Sequence, residues 1–281
     1  MRQIIFTAMQ SAVIDFNSSV VHYRYHIGGK HLLICFHGYG ESADEFDFLQ
    51  SYLDSSFSIL AFDMPHHGNT IWKDDKINAF EFTGLIDRVR TVHALNDVRI
   101  TFLGYSMGCR IALACFERKS ADTKQLILLA PDGLKINFWY WFATQTWFGN
   151  KIFFITISRP GWFLGILKAS NALRLLNPSV YKFVLHFLDD EPMRRLLYLR
   201  WTSLSIFRPS INRIKNIIRK NNVSVHLIYG KYDRIILRSV GERFRKGIES
   251  NCTIDLLDTG HRVLQETHVH EIIKHLSMRD I

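Results

Sequence analysis

The sequence predicts an α/β protein with one mostly parallel sheet of eight strands and helices on both faces. Strand-like and helical patterns alternate along the chain, which is typical of parallel strands joined by crossover helices. A chain of 281 residues can bury a sizeable core, and one α/β domain with an insertion suits that length. Because no helical pattern separates the first two strand-like runs, we expect them to form an antiparallel start. The strand-like runs are residues 3–8, 20–26, 31–36, 57–62, 98–103, 125–130, 223–229 and 252–257, and the helical patterns cover 79–95, 107–119, 236–248 and 263–277.

A Gly-x-Ser-x-Gly turn carries the most specific motif of the chain. It runs from Gly104 to Gly108 with Ser106 at its centre, between the run 98–103 and the helical pattern that follows. In such a nucleophile elbow the serine occupies a strained turn, and small residues two before and two after it let the backbone close. The motif predicts Ser106 as a catalytic nucleophile.

Two later strand-like runs end in residues that suit this serine. A serine hydroxyl needs a base to activate it, and the base needs an orienting acid. Asp233 follows the seventh run and His261 follows the eighth, so the chain order is Ser, Asp, His. His261 stands apart from the other histidines because it follows a glycine at the end of a strand-like run. We therefore predict Asp233 as the acid and His261 as the base.

The acid has a rival in Asp132, which follows the sixth strand-like run. Asp233 is favoured over it because it follows the seventh run, and because Pro131-Asp132-Gly133 is typical of a turn.

The third strand-like run leads into a glycine-containing loop, His37-Gly38-Tyr39-Gly40. Backbone amides in such a loop can stabilise the developing oxyanion, and we expect the amides of Tyr39 and Met107 to do so. His37 is expected to hydrogen-bond the loop, and it remains a candidate substrate contact together with Tyr105, the neighbour of the nucleophile.

Together these motifs resemble the α/β-hydrolase family of lipase, esterase and thioesterase type. Residues 59–70 are similar to the family's DxPGHGxS turn, with His66 in place of a glycine and Thr70 in place of the serine, and Cys109 replaces a common second glycine after the elbow. The resemblance covers residues 1–133 and 221–281. It implies an acyl-enzyme mechanism on a small-molecule ester or thioester, with no metal or organic cofactor.

An insertion at residues 134–220 separates the two parts of this predicted core. Residues 134–222 contain fourteen Lys or Arg against three acidic residues, a net charge of +11 in a chain of net charge +9. Five of the six tryptophans also lie there, including Trp139 and Trp141, which are candidate substrate contacts. By its position the insertion resembles the helical cap of the family, which folds over the nucleophile.

Two interpretations of the insertion remain open. Its aromatic residues either pack the cap, or they line an apolar acyl tunnel while the cations face an anionic substrate group or an anionic lipid surface. The apolar runs are interrupted by polar residues and never reach eighteen, so no transmembrane helix is predicted. The interleaving of charges with bulky apolar residues argues against nucleic-acid binding.

Two other functions compete with ester hydrolysis. Arg110 lies four residues after the nucleophile, which resembles the elbow of the menaquinone-pathway cyclohexadiene-carboxylate synthases. These are lyases with the same triad, in which arginines hold substrate carboxylates. A solvent-facing or salt-bridging arginine is the simpler interpretation. A non-enzymatic protein of this fold should have lost a triad residue, whereas all three positions are filled.

The remaining sequence features point to a reducing compartment. The four cysteines, Cys35, Cys109, Cys115 and Cys252, lie in strand-like or helical segments and suggest packed thiols. The apolar part of the first ten residues is too short for a signal peptide, so a cytoplasmic protein is expected, with possible contact at the membrane surface. No metal-ligand spacing is present, and the sequence leaves the oligomeric state open.

Overall fold

A computed structural model of the chain describes residues 9–135, 137–175, 181, 184–185, 188 and 190–276. The chain divides into two compact units. The larger unit comprises Met1–Lys135 and Ile206–Ile281, and the smaller comprises Ile136–Ser205.

Eight strands form one sheet in the described part of the larger unit, in the order β1-β2-β4-β3-β5-β6-β7-β8. β2 pairs antiparallel with β1 and β4, and all other neighbouring pairs are parallel. The predicted mostly parallel sheet is therefore confirmed. The strands are β1 (Gln10–Phe16), β2 (Ser19–His26), β3 (His31–Phe36), β4 (Phe57–Phe62), β5 (Ile100–Tyr105), β6 (Thr123–Leu129), β7 (Ser224–Gly230) and β8 (Cys252–Leu257).

The antiparallel start of the sheet differs from the sequence prediction. The predicted run 3–8 lies outside the described residues, and the strand that pairs with β2 is β1. β1 escaped prediction because it is a mostly exposed edge strand, and its apolar residues do not form the continuous run that marks a buried strand.

The helices account for most of the predicted helical patterns. The pattern 107–119 is one helix, whereas 263–277 contains only a 3₁₀ turn, Glu266–His268, and a short helix. The helices are α1 (Leu49–Tyr52), α2 (Ala79–Val92), α3 (Met107–Lys119), α4 (Phe138–Gln145), α5 (Trp147–Ser158), α6 (Gly161–Ala172), α7 (Glu191–Ser203), α8 (Ile211–Asn221), α9 (Arg238–Arg245) and α10 (Val269–Ile273), with another 3₁₀ turn at Ala43–Phe46.

The smaller unit is shorter than the predicted insertion of residues 134–220. Helix α8 belongs to the larger unit, because Ile214 and Ile218, one turn apart, are fully buried there. The basic residues of α8 therefore also belong to the larger unit. The smaller unit, residues 136–205, contains eight Lys or Arg and three acidic residues, a net charge of +5. The basic excess is thus divided between both units, and the larger unit carries the remaining +4 of the chain's net charge of +9.

Aromatic packing holds the smaller unit together. Phe153 of α5 packs against Tyr198 and Trp201 of α7, and Tyr140 of α4 packs edge-on against Trp201. Among the described residues, no single helix is long and apolar enough to span a membrane. The pair α5 and α6, bent by 90°, passes that test together by length and composition.

Candidate active site

The predicted nucleophile lies in a strained turn between β5 and α3. Ser106 has a positive φ of 50° with ψ of −115°, a conformation that L-residues rarely adopt. Its amide donates to the Leu129 carbonyl at the end of β6 (2.8 Å), and its carbonyl accepts from the Asp132 amide (3.2 Å). The neighbouring strand therefore holds the turn, and such strain is concentrated at functional sites.

Both glycines of the motif are required by close backbone contacts. A Cβ on Gly104 would lie 2.6 Å from the Cα of Cys109, and a Cβ on Gly108 would overlap the carbonyl oxygen of Phe36 at the end of β3. Because neither glycine has a side chain, the first turn of α3 can pack directly against β3 and β5.

We expect Gly108→Ala to lower the melting temperature and the activity together, because the added methyl group must displace backbone. Overpacking of this kind costs about 1–3 kcal/mol or more. Gly84→Ala in α2 is the matched control: apart from its chain neighbours and the backbone of its own helix, no atom of the described residues lies within 4 Å of the added Cβ. It should be neutral or stabilise the protein by about 0.5–1 kcal/mol. Equal melting temperatures for the two variants would contradict this account of the elbow.

Three side chains from different loops form a continuous hydrogen-bonded chain. Ser106 Oγ lies 3.0 Å from Nε2 of His261, and Nδ1 of His261 lies 2.7 Å from Oδ2 of Asp233. The second oxygen of Asp233, Oδ1, accepts the amides of Ile235 (2.8 Å) and Ile236 (3.0 Å). The loops after β5, β7 and β8 thus bring together the three residues that the sequence singled out.

The buried Asp233 carboxylate is stabilised in its charged form. Burial by itself raises its pKa, but the hydrogen bonds from His261 and from the two amides outweigh that effect, so the pKa lies below its ordinary value. A carboxylate that stays ionised can hold the Nδ1–H of His261, which leaves Nε2 free to accept a proton from Ser106.

Asp132, the rival acid, faces a different partner. Its Oδ2 lies 3.7 Å from Nε of Arg110, and its Oδ1 accepts the amide of Gly133. Arg110 is buried on α3, one turn beyond Ser106. The pair connects α3 with the turn after β6, which matches the salt-bridging interpretation of Arg110.

The predicted oxyanion loop is organised by His37, which is fully buried. Its Nε2 accepts the amide of Met64 (3.1 Å), and its Nδ1 donates to the carbonyl of Gly38 (2.7 Å). With both nitrogens bonded to backbone, His37 supports the loop that carries Tyr39. Met107 is the first residue of α3, where amides have no acceptor within the helix. The roles of the Tyr39 and Met107 amides stay predictions.

The other candidate substrate contacts lie in different surroundings. Tyr105 is buried, and its hydroxyl donates to the backbone carbonyl of His261 (3.2 Å), so it holds the backbone that carries the histidine. Trp139 and Trp141 belong to α4 of the smaller unit, where they surround Phe138 and are 72% and 39% exposed.

The departures from the family's DxPGHGxS turn have local explanations. His66 adopts a positive φ of 62°, the conformation that a glycine adopts without strain. Thr70 Oγ1 donates to the carbonyl of Asp63 (2.8 Å), which a serine could also do. The carboxylate of Asp63 accepts the amides of Ala43 and Asn69, so the turn stays connected to the loop after β3.

The sequence reasoning missed Glu41 on the same loop. Its Oε2 accepts the amide of Gly38 (2.9 Å). Burial raises the pKa of Glu41 to about 7, with Glu45 adding to the rise and the Gly38 amide, Arg262 and His261 opposing it. An acidic residue in a loop carries no sequence signal for such a shift, because the shift arises mainly from burial.

The raised pKa makes stability depend on pH. Between the ordinary pKa of 4.5 and about 7 the folded state binds more protons at Glu41, so stability falls as pH rises through that range. Glu41→Gln keeps an acceptor for the Gly38 amide and stays neutral. We expect it to raise the melting temperature at about pH 8 and to leave it nearly unchanged at about pH 4. Thermal unfolding at both pH values, with Glu242→Gln on the exposed surface of α9 as control, measures this; an equal effect at both would contradict it.

No group of three or more His, Cys, Asp or Glu within the described residues could hold a metal ion. The four cysteines are buried and free.

Comparison with known proteins points to one family. The family described as "Alpha/beta hydrolase family" matches residues 33–274. The uncharacterized hydrolase YugF of Bacillus subtilis (strain 168) is 25% identical over 282 residues, covering 91% of this chain and 94% of the relative. The thioesterase domain of the curacin biosynthetic pathway has a TM-score of 0.61 at 16% identity, covering 96% of this chain and 100% of that one. A thermophilic esterase from Thermogutta terrifontis has a TM-score of 0.65 at 14% identity, covering 95% and 98%. At these identities the two solved structures show similarity of fold.

Proposed function

This chain belongs to the alpha/beta hydrolase family of enzymes, and from that premise we propose that it cleaves a carboxylic ester or thioester through Ser106, His261 and Asp233. The observation that supports this most directly is the hydrogen-bonded chain from the strained Ser106 through His261 to the buried Asp233. The chain order Ser, Asp, His and these two hydrogen bonds support the roles of nucleophile, orienting acid and base.

The proposed reaction uses each of these groups in turn. Ser106 Oγ attacks the substrate carbonyl carbon while its proton passes to Nε2 of His261, and the amides of Tyr39 and Met107 stabilise the oxyanion. The bond to the leaving group then breaks, and Nε2 returns the proton to the departing alcohol or thiol. Water attacks the acyl-enzyme by the same route, which releases the carboxylic acid and restores Ser106. Asp233 stabilises the imidazolium in both halves.

The lyase alternative depends on Arg110 being free to bind a substrate carboxylate. Instead, Nε of Arg110 lies 3.7 Å from Oδ2 of Asp132, and this ion pair favours a structural role for the arginine. A non-enzymatic binding role is disfavoured by the complete Ser-His-Asp constellation. Thioester and ester cleavage both remain within the proposal, and the named neighbours include a thioesterase domain and an esterase.

We further propose that residues 136–205 act as a cap that selects an apolar acyl group. The aromatic and aliphatic content of this unit supports the idea, since apolar side chains bind acyl chains by excluding water. Burial of each methylene contributes up to about 0.8 kcal/mol.

We expect kcat/KM to rise severalfold for each two carbons added to the acyl chain, until the binding site is filled. p-Nitrophenyl esters and acyl-CoAs of graded chain length measure this, and comparison of the two series distinguishes ester from thioester preference. Ser106→Ala, assayed in parallel, removes background hydrolysis from the comparison. A flat profile in both series would exclude an apolar acyl site.

A further inference from the structure

Helices α5 and α6 expose their apolar side chains in helical stripes. On α5 the exposed residues recur at Trp147, Phe148, Lys151, Phe154 and Ile155. Such spacing places them on one face of the helix. α6 and the residues after it repeat the pattern, and the large apolar residues exposed there are Trp162, Ile166, Leu173 and Leu175.

The opposite face of α5 is the one that packs within the smaller unit. Phe153 contacts the aromatic rings of α7, and the carbonyl of Ile157 accepts a hydrogen bond from Arg194 of α7 (2.8 Å). In a water-soluble amphipathic helix the exposed face is polar. Here the exposed face carries large apolar side chains, and patches of this kind mark interaction sites.

The charged residues on α5 and α6 are all basic. Between Asp132 and Asp189 the sequence contains no Asp or Glu. Lys151, Arg159, Lys168 and Arg174 are all exposed, and Lys151 lies over the ring of Trp147 at 5.0 Å. Any partner must therefore bury apolar side chains and also supply negative charge.

We propose that α5 and α6 dock the protein on an anionic phospholipid bilayer, with the apolar stripes in the interfacial region of one leaflet and the cations among the headgroups. A bilayer surface offers acyl chains and anionic headgroups together, with tryptophan and lysine at the boundary. A second copy of this chain would bring two positive faces together, which repel each other. The 90° bend between the helices, with Arg159 within it, fits a pair that lies along the surface.

The proposal goes beyond the proposed reaction and does not require it, so the test uses Ser106→Ala, which leaves the vesicles intact. We expect this protein to sediment with vesicles of phosphatidylcholine and phosphatidylglycerol, and less with phosphatidylcholine alone. Added salt should weaken the binding. Failure to sediment with either vesicle would overturn the proposal, whatever the hydrolytic activity of the wild type.

Two sets of substitutions distinguish vesicle binding through α5 and α6 from nonspecific binding through other exposed apolar side chains. Trp147→Ser, Phe148→Ser and Trp162→Ser together should weaken vesicle binding about tenfold or more. The control combines Ile71→Ser, Phe80→Ser and Val92→Ser, whose side chains are 57%, 67% and 67% exposed on the larger unit; its binding should be unchanged. Equal losses in both sets would overturn the proposal.

If the aromatic variant does not fold, substitution of the basic residues provides a second test of vesicle binding. Lys151→Glu with Lys168→Glu should abolish the preference for phosphatidylglycerol. A retained preference would overturn the role of these cations. A dimer in light scattering that the aromatic substitutions dissociate, together with no vesicle binding, would assign the surface to a second copy instead.

Discussion

Replacing Ser106 by alanine should abolish ester hydrolysis and labelling by a fluorophosphonate probe. The expected loss in kcat is several orders of magnitude, since the loss of a triad serine elsewhere costs on the order of 10⁶. The physical reason is that Ser106 lies in the strained turn and its Oγ is hydrogen-bonded to Nε2 of His261. Initial rates on a short p-nitrophenyl ester and in-gel fluorescence measure the two effects.

Cys109 and Ser120 provide the controls for that assignment. Cys109 lies one turn beyond Ser106, but burial raises its thiol pKa well above the ordinary value, so it remains protonated and unreactive. Ser120 terminates α3 away from the turn. Ser120→Ala should label like the wild type, and Cys109→Ser should keep its labelling if it folds. Persistent labelling of Ser106→Ala would show that another residue is the nucleophile.

The central strands and the catalytic loops could be predicted because their signals are local. All six residues of β4 are buried, so its apolar run coincides with the strand. β5 was predicted to span 98–103 but spans Ile100–Tyr105, because the strand continues through the glycine that was assigned to the turn. A shift of two residues left the position of Ser106 unaffected, since the motif itself determines it.

The boundary of the inserted unit could not be predicted in the same way. α8 is rich in basic residues, as the insertion before it is, so composition does not separate the two. Only the burial of Ile214 and Ile218 assigns α8 to the larger unit. Likewise, the sequence of α5 does not say which of its faces is exposed, because both carry large apolar residues. Burial is a property of the folded chain and does not show in the sequence. For the same reason the raised pKa of Glu41 could not be predicted.

Replacing Asp233 by asparagine should reduce activity by about 10⁴-fold, whereas Asp132→Asn should change it little. The hydrogen bonds around Asp233 explain why a nearly isosteric change is so harmful. Oδ1 accepts the amides of Ile235 and Ile236, so the carbonyl oxygen of asparagine must occupy that position. Its NH₂ group then faces Nδ1 of His261, which must act as an acceptor. The ring proton moves to Nε2, where it faces Ser106 and prevents the histidine from acting as a base.

Comparing Asp233→Asn with Asp132→Asn tests which aspartate is the triad acid and how that acid acts on His261. Asp132 Oδ2 faces Arg110, and asparagine would weaken that ion pair without altering the tautomer of His261. The expected cost there is a modest loss of stability, visible in thermal unfolding and not in kcat. If Asp132→Asn were the inactive variant, the acid would be Asp132. If Asp233→Asn lost activity but regained it at high pH, where hydroxide can replace the base, the wrong-tautomer explanation would be supported over misfolding, because a misfolded site has no means of recovering with pH.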